Sequence, residues 1–157
     1  MGIQLFLVQH GEAVPESEDP NRPLTARGRD DISRLAAFLA EAKVRPASII
    51  HSGKLRAADS ASLLVSAIGG KVTVQEKGLL PGDSPVPLSE DVATWQADTL
   101  VVGHQPFLGR LASRLLLGKE QPTIVEFTPA TMACLARRPA TGAWYLAWVL
   151  PPELLRR

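Results

Sequence analysis

Hydrophobic residues fall along this chain in two textures. Val72–Val74 reads as one short strand, and continuous runs that end at a histidine occur over 3–9, around 47–51 and over Thr99–Gly103. Such runs predict strands buried on both faces of a parallel sheet. Between them the apolar positions recur at helical spacing. Ile32, Leu35, Ala36 and Leu39 follow a capping Thr25, while Arg29, Asp30, Arg34 and Glu41 fall on the solvent side. Ala57, Ala61, Leu64, Val65 and Ile68 form a second stripe, ended by Gly69-Gly70. Residues 88–97 predict a short helix carrying Val92 and Trp95, and Leu108, Leu111 and Leu115 define a fourth helix with Pro106 in its first turn. The last third changes character: Thr123–Phe127, Met132–Ala136 and Trp144–Val149 read as strands with no helix between them, which predicts antiparallel pairing at the sheet edge. The β-α-β-α order therefore predicts an α/β fold, a three-layer α/β/α sandwich with a mostly parallel sheet and an antiparallel C-terminal edge. Residues 14–23 and 77–87, rich in Pro with acidic residues or Gly, are expected as irregular loops.

Composition narrows the picture. The 157 residues predict one domain spanning 1–157, and 17 basic against 16 acidic residues leave a net charge of +1. No global field exists to steer nucleic acid or a membrane surface, so neither is expected as a partner, and any anion site must be local. Trp95, Trp144 and Trp148 are expected in core or sheet-edge packing. The single Cys134 cannot form an internal disulfide, and its apolar neighbours predict an inert core thiol. The first apolar run has no basic region ahead of it and is too short for a secretory signal; the expected location is cytoplasmic, and the expected state a monomer or weak homo-oligomer.

All three histidines end strand-like runs: His10 after Ile3–Gln9, His51 after Ser48–Ile50, and His104 after Thr99–Gly103. In an open α/β sheet, ligands bind beyond the carboxyl ends of the strands, so the three imidazoles are expected on one rim. Imidazole serves there as nucleophile, acid, base or metal ligand near neutral pH. In Gln9-His10-Gly11-Glu12-Ala13 the glycine allows close backbone approach to a bound group. In His51-Ser52-Gly53-Lys54-Leu55-Arg56-Ala57, Arg56 falls in the first turn of a helix, where free N–H groups and a guanidinium favour an anion; His51 itself reads as rim packing. Arg22-Pro23-Leu24-Thr25 stiffens the approach to the first helix and aims Arg22 back at the rim. Gly103-His104-Gln105-Pro106 completes the set.

Taken jointly, strand-His-Gly-Glu, Arg-Pro-Leu-Thr, strand-Ser-x-x-x-Arg-Ala and strand-Gly-His resemble the histidine phosphatase (phosphoglycerate-mutase-like) superfamily, nearest its short phosphohistidine phosphatases of the SixA type. The resemblance covers nearly the whole chain. It implies a hydrolase acting through a covalent phosphohistidine on His10, with His10, His104 and Arg56 catalytic. It further implies that Arg22, Arg56, Gln9 and His104 hold the phosphoryl oxygens, that no cofactor or metal is needed, and that the substrate is a phosphorylated protein or small phosphomonoester. Such chemistry asks for in-line attack and dispersed positive charge. Glu12 is the candidate leaving-group acid, ahead of Asp19, Glu76 and Asp83, which read as solvated loop charges.

Two positions depart from the family pattern. Gln9 stands where Arg is usual, removing a charge and leaving Arg22, Arg56 and a protonated His104 to carry it; the alternative is a weakly active or inactive phosphate-binding or phosphoprotein-binding module. Gly53 stands where Pro is usual, with Lys54 adding a nearby cation. A metal hydrolase built on three histidines is disfavoured, since none is paired at i, i+4 and the arginines would repel a cation.

Overall fold

A computed structural model describes residues 2–157. One six-stranded sheet runs through the molecule: β1 (Gln4–Gln9), β2 (Ser48–His51), β3 (Lys71–Val74), β4 (Thr99–Gly103), β5 (Met132–Arg137) and β6 (Trp144–Leu150). Their order across the sheet is β3-β2-β4-β1-β5-β6. The first four are parallel, and β5 and β6 pair antiparallel along the far side. The expected three-layer architecture is what the chain adopts.

Alternation along β1 sets the layers. Phe6 and Val8 face one side, where α1 (Ala26–Glu41) and α2 (Leu55–Ile68) supply Ile32, Leu35, Leu39, Ala57, Ala61 and Leu64. Leu5 and Leu7 face the other, against α3 (Val86–Val92) and α4 (Phe107–Leu117) with Leu88, Val92, Phe107, Leu108 and Leu111. A period of two puts both faces of one strand to use, which is why β1 reads as a continuous apolar run. The helix after β1 and the helix after β4 thus leave to opposite faces. Because β1 and β4 are neighbours, their carboxyl ends flank a topological switch point, the place where open α/β sheets form their crevice.

Several boundaries differ from expectation. The third helix starts at Val86 and ends at Val92, with Pro87 in its opening turn where no N–H is required; Trp95 lies beyond its end. The Thr123–Phe127 segment is not a strand. Its alternation is real, since Val125 and Phe127 are buried while Ile124 and Glu126 are exposed. The segment lays its two apolar side chains on the second core without joining the ladder. Trp148 packs beside Phe6 with ring centroids 6.2 Å apart, and Trp95 and Trp144 pack against the second core. Cys134 is buried, and desolvation, aided by Asp98, pushes its thiol up to about 12. Among the described residues no helix is long and apolar enough to cross a membrane.

The loop after β1 is pinned to α1. Thr25 caps the helix by accepting from the Gly28 N–H at 3.0 Å, and the Thr25 N–H donates to the Glu12 carbonyl at 2.9 Å. Gly28 lets the two segments touch: a Cβ there would sit 2.1 Å from the Glu12 carbonyl oxygen. Glycine to alanine inside an ordinary helix stabilises by up to about 1 kcal/mol. Here the sign should reverse. Gly28→Ala is expected to destabilise by about 1–3 kcal/mol, the range for overpacking, read as a fall in thermal midpoint.

Candidate active site

Register places the site. Gln9 pairs with Gly103 at the last step of the β1–β4 ladder, and the His10 N–H donates to the Gly103 carbonyl at 3.1 Å. The next residues, His10 and His104, therefore emerge side by side at the switch point, with ring centroids 5.0 Å apart and a tilt of 55°. They line a cleft of about 310 Å³ together with Gln9, Glu12, Ala13, Arg22, Arg56, Pro81, Gln105 and Pro129. A larger hollow of about 440 Å³ lies elsewhere, against α1 and the C-terminal residues Leu155 and Arg157, and contains no histidine.

The walls are tied together by short polar links. The Gly11 N–H donates to the Ser60 hydroxyl at 3.0 Å, and that hydroxyl donates to the Arg56 carbonyl at 2.8 Å. One side chain on α2 thus joins the turn behind His10 to the turn that carries Arg56. Gly11 permits the fit, because a Cβ would lie 2.8 Å from the Gly28 carbonyl oxygen and 2.9 Å from Ile32 Cγ1. Arg22 has φ of 49°, a conformation costing a residue with a side chain about 1–3 kcal/mol. Its backbone is held by the Asp19 carbonyl at 3.0 Å and its Nε donates to the Val14 carbonyl at 3.1 Å, so the guanidinium is directed to the cleft wall.

His10 has a defined tautomer. Nδ1 lies 2.7 Å from the Gly11 carbonyl, which can only accept, so Nδ1 carries the proton and Nε2 keeps its lone pair. Burial foremost, with Arg56 and Arg22 adding to it against the raising effect of the Gly11 bond, lowers His10 from 6.5 to about 4. His104 is lowered to about 3, first by burial and then by His10, Arg56, Lys54 and Arg22. His104 is thus not protonated as the sequence suggested; both rings are neutral at neutral pH. Arg56 is also below its ordinary value, through burial and then Arg22, with Glu16 opposing.

Buried polar atoms without partners gather here. Among the described residues they are Gln9 Oε1, Arg56 Nε and His104 Nδ1, and all three residues line the cleft. Leaving such groups unpaired costs roughly 1–3 kcal/mol each, so their grouping marks a place built for a polar ligand. Among the described residues neither Arg22 nor Arg56 is in a salt bridge, although Arg29, Arg34 and Arg156 are. Uncompensated cations and a neutral imidazole with a free lone pair suit an anion with an electrophilic centre.

The other sequence candidates separate. Glu12 lines the cleft, with Oε1 accepting from the Thr25 hydroxyl at 2.9 Å. Asp19, Glu76 and Asp83 do not line it: Asp19 accepts from the Asn21 N–H, and Asp83 from the N–H groups of Gly78 and Leu80. Glu76 and Lys54 line a separate hollow with Gly53. His51 shares the rim but not the cleft; its Nδ1 accepts the Gly53 N–H at 3.1 Å, and Gly53 adopts φ of 89°. Two participants were missed in the sequence. Ser60 could have been noticed as a polar residue four after Arg56, inside the Ala57–Ala61 stripe. Ser52, 2.6 Å from His104, carried no local signal beyond its place in a motif.

Comparison with known proteins came out as follows. The model of the histidine phosphatase superfamily (branch 1) matches residues 5–79. An uncharacterized protein of Picosynechococcus sp. is 30% identical over 124 residues, covering 74% of this chain and 75% of that protein. The phosphohistidine phosphatase SixA of Escherichia coli is 29% identical over 155 residues, covering 92% and 94%. A structure of the protein histidine phosphatase SixA complexed with tungstate superposes with a TM-score of 0.86 at 25% identity, covering 98% of this chain and all of that one.

The lowered histidines give a signed pH prediction. Both folded pKa values lie below the ordinary 6.5, so between them and 6.5 the unfolded chain binds more protons. Their contribution to stability is full above about pH 6.5 and is lost as pH falls towards 4. Denaturant midpoints measured across that window should fall on acidification, each group adding at most about 1.4 kcal/mol per pH unit. The slope should be shallower in His10→Ala.

Proposed function

The chain belongs to the histidine phosphatase superfamily and is a phosphatase-type hydrolase, and we propose that it hydrolyses phosphohistidine on a protein, or another phosphomonoester, through a covalent phosphohistidine on His10. The observation that carries the proposal is the bond from His10 Nδ1 to the Gly11 carbonyl, which leaves Nε2 as a free nucleophile within a cleft lined by two arginines that have no salt-bridge partner among the described residues.

In this reading a phosphoryl group enters with its oxygens on Arg22, Arg56 and His104, and Gln9 adds an uncharged amide contact. His10 Nε2 attacks phosphorus while the bond from phosphorus to the leaving group breaks. The two guanidiniums and the Nδ1–H of His104 stabilise charge spread over the equatorial oxygens. Water then attacks the phosphorus on His10, orthophosphate departs, and the lone pair returns to Nε2. The low pKa of His10 serves this: the ring stays unprotonated and available at neutral pH. It is also a less basic nitrogen and therefore a better leaving group in the second step.

Glu12 is the carboxylate proposed to protonate the leaving group, as the acidic residue among those lining the cleft. A phosphohistidine substrate asks little of it, because the P–N bond is already activated. The cleft is bordered by short loops and two prolines, Pro81 and Pro129, which suits a side chain presented by another protein. The similarity to the phosphohistidine phosphatase SixA supports the same substrate class. A cytoplasmic setting belongs to this reading, supported by the lone buried cysteine.

A second reading has its own observation. Gln9 lines the cleft with Oε1 unpaired and brings no charge, which favours a phosphate-binding or phosphoprotein-binding module of low turnover. A charge-assisted bond is roughly twice as strong as a neutral one, and its loss from a transition state costs a few kcal/mol, about two orders of magnitude in rate.

Two measurements test these readings. Acid-quenched protein exposed to a phosphodonor should show a phosphoryl adduct on His10 by mass spectrometry, absent in His10→Ala with the fold retained; full activity in the alanine variant would falsify the assignment. Gln9→Arg should raise kcat, by up to about a hundredfold. Tight vanadate binding without hydrolysis in the unmodified protein would select the binding module.

A further inference from the structure

Among the described residues His104 Nδ1 is buried without a partner, while the other ring nitrogen has one. Its Nε2 lies 2.6 Å from the Ser52 hydroxyl oxygen. That oxygen also accepts, at 3.4 Å, from the Lys54 N–H, a group that cannot receive a proton. The Ser52 hydroxyl has one hydrogen, and among the described residues the acceptor it is bonded to is His104 Nε2. Both side chains are buried, Ser52 at 3% and His104 at 1% exposure.

We propose that Ser52 is a positioning residue: by donating to His104 Nε2 it holds the proton on Nδ1 and keeps a hydrogen-bond donor ready at the phosphoryl site. The claim rests on the phosphatase reading for its consequence, but the tautomer itself is a property of the unliganded protein. It also accounts for how a neutral ring contributes to holding an anion. An imidazole whose Nδ1 bore a lone pair would face phosphoryl oxygens with an acceptor and repel them. The same ring with Nδ1 protonated offers a donor without the cost of burying another positive charge beside Arg56 and Arg22. Ser52 owes its own placement to the sharp turn after β2, where Gly53 takes a positive φ of 89° and His51 accepts the Gly53 N–H. The β2 rim thereby acts on the reaction through His104, although neither His51 nor Ser52 lines the cleft.

The test has two arms. In the first, ring nitrogen-15 NMR of the unliganded protein at neutral pH should show His104 protonated on Nδ1. In Ser52→Ala the signals should move towards the opposite tautomer or a mixture, and in Ser52→Thr they should stay. A wild-type ring protonated on Nε2 would overturn the proposal outright, whatever the activity. In the second arm, Ser52→Ala should lower kcat for a phosphomonoester at least about tenfold, with Ser52→Thr restoring most of it. An unchanged kcat in a folded Ser52→Ala protein would sink the positioning role. Should Ser52→Ala fail to fold, the wild-type tautomer and the Ser52→Thr kinetics decide between the same outcomes. If the wild-type protein hydrolyses nothing, the phosphatase reading falls, and the NMR arm still judges Ser52.

Discussion

The parallel pairing of β1 with β4 is the constraint from which the site follows. Two neighbouring strands end in register, and the helices that follow them diverge to opposite faces of the sheet. That divergence opens a crevice where the two strand ends lie together. The first residue beyond each strand is a histidine, so two imidazoles are fixed 5.0 Å apart by the ladder rather than by their own contacts. Everything else at the cleft is hung from this pair: the α1 turn fitted under Gly11, the α2 turn held by Ser60, and the Arg22 loop held in a strained backbone conformation.

Burial does the electrostatic work. Two neutral rings and two guanidiniums lie together, and among the described residues no acidic side chain is paired with either guanidinium. In water such an arrangement would be unremarkable; out of water it raises the free energy of the empty pocket, and an anion lowers it. The unpaired atoms at Gln9, Arg56 and His104 are the same effect in hydrogen-bond terms. Stability given up in the resting protein is thereby turned into differential attraction for charge, most of all where that charge is spread as it is in a transferring phosphoryl group.

Much of this was legible in the chain. Apolar runs and stripes placed four parallel strands and their helices: β1 and β4 are buried as continuous apolar runs require, while β3 is a strand whose residues are exposed. His10, Arg22, Arg56 and His104 could be gathered because each sits at a strand end or helix start. What was not legible has physical reasons. The alternation of Thr123–Phe127 was read as pairing, yet alternation reports only which side chains are buried, and here the two buried ones pack on the core without a ladder. The neutrality of His104 depends on the sum of its surroundings, which no local pattern displays. Ser52 and Ser60 act through hydroxyls whose partners lie 52 and 49 positions away along the chain, at His104 and Gly11.

The third histidine has a use in the bend that follows it. His51 receives the amide hydrogen of Gly53, a gift that a proline in the same place, lacking that hydrogen, has none to make. Glycine's left-handed backbone and the imidazole beside it are thus two halves of one solution to the same bend, while proline is a self-sufficient alternative that needs no ring nearby. A proline at 53 would remove that hydrogen and demand a negative φ where the chain holds 89°, so the handedness of the bend and the lone pair on His51 stand or fall together.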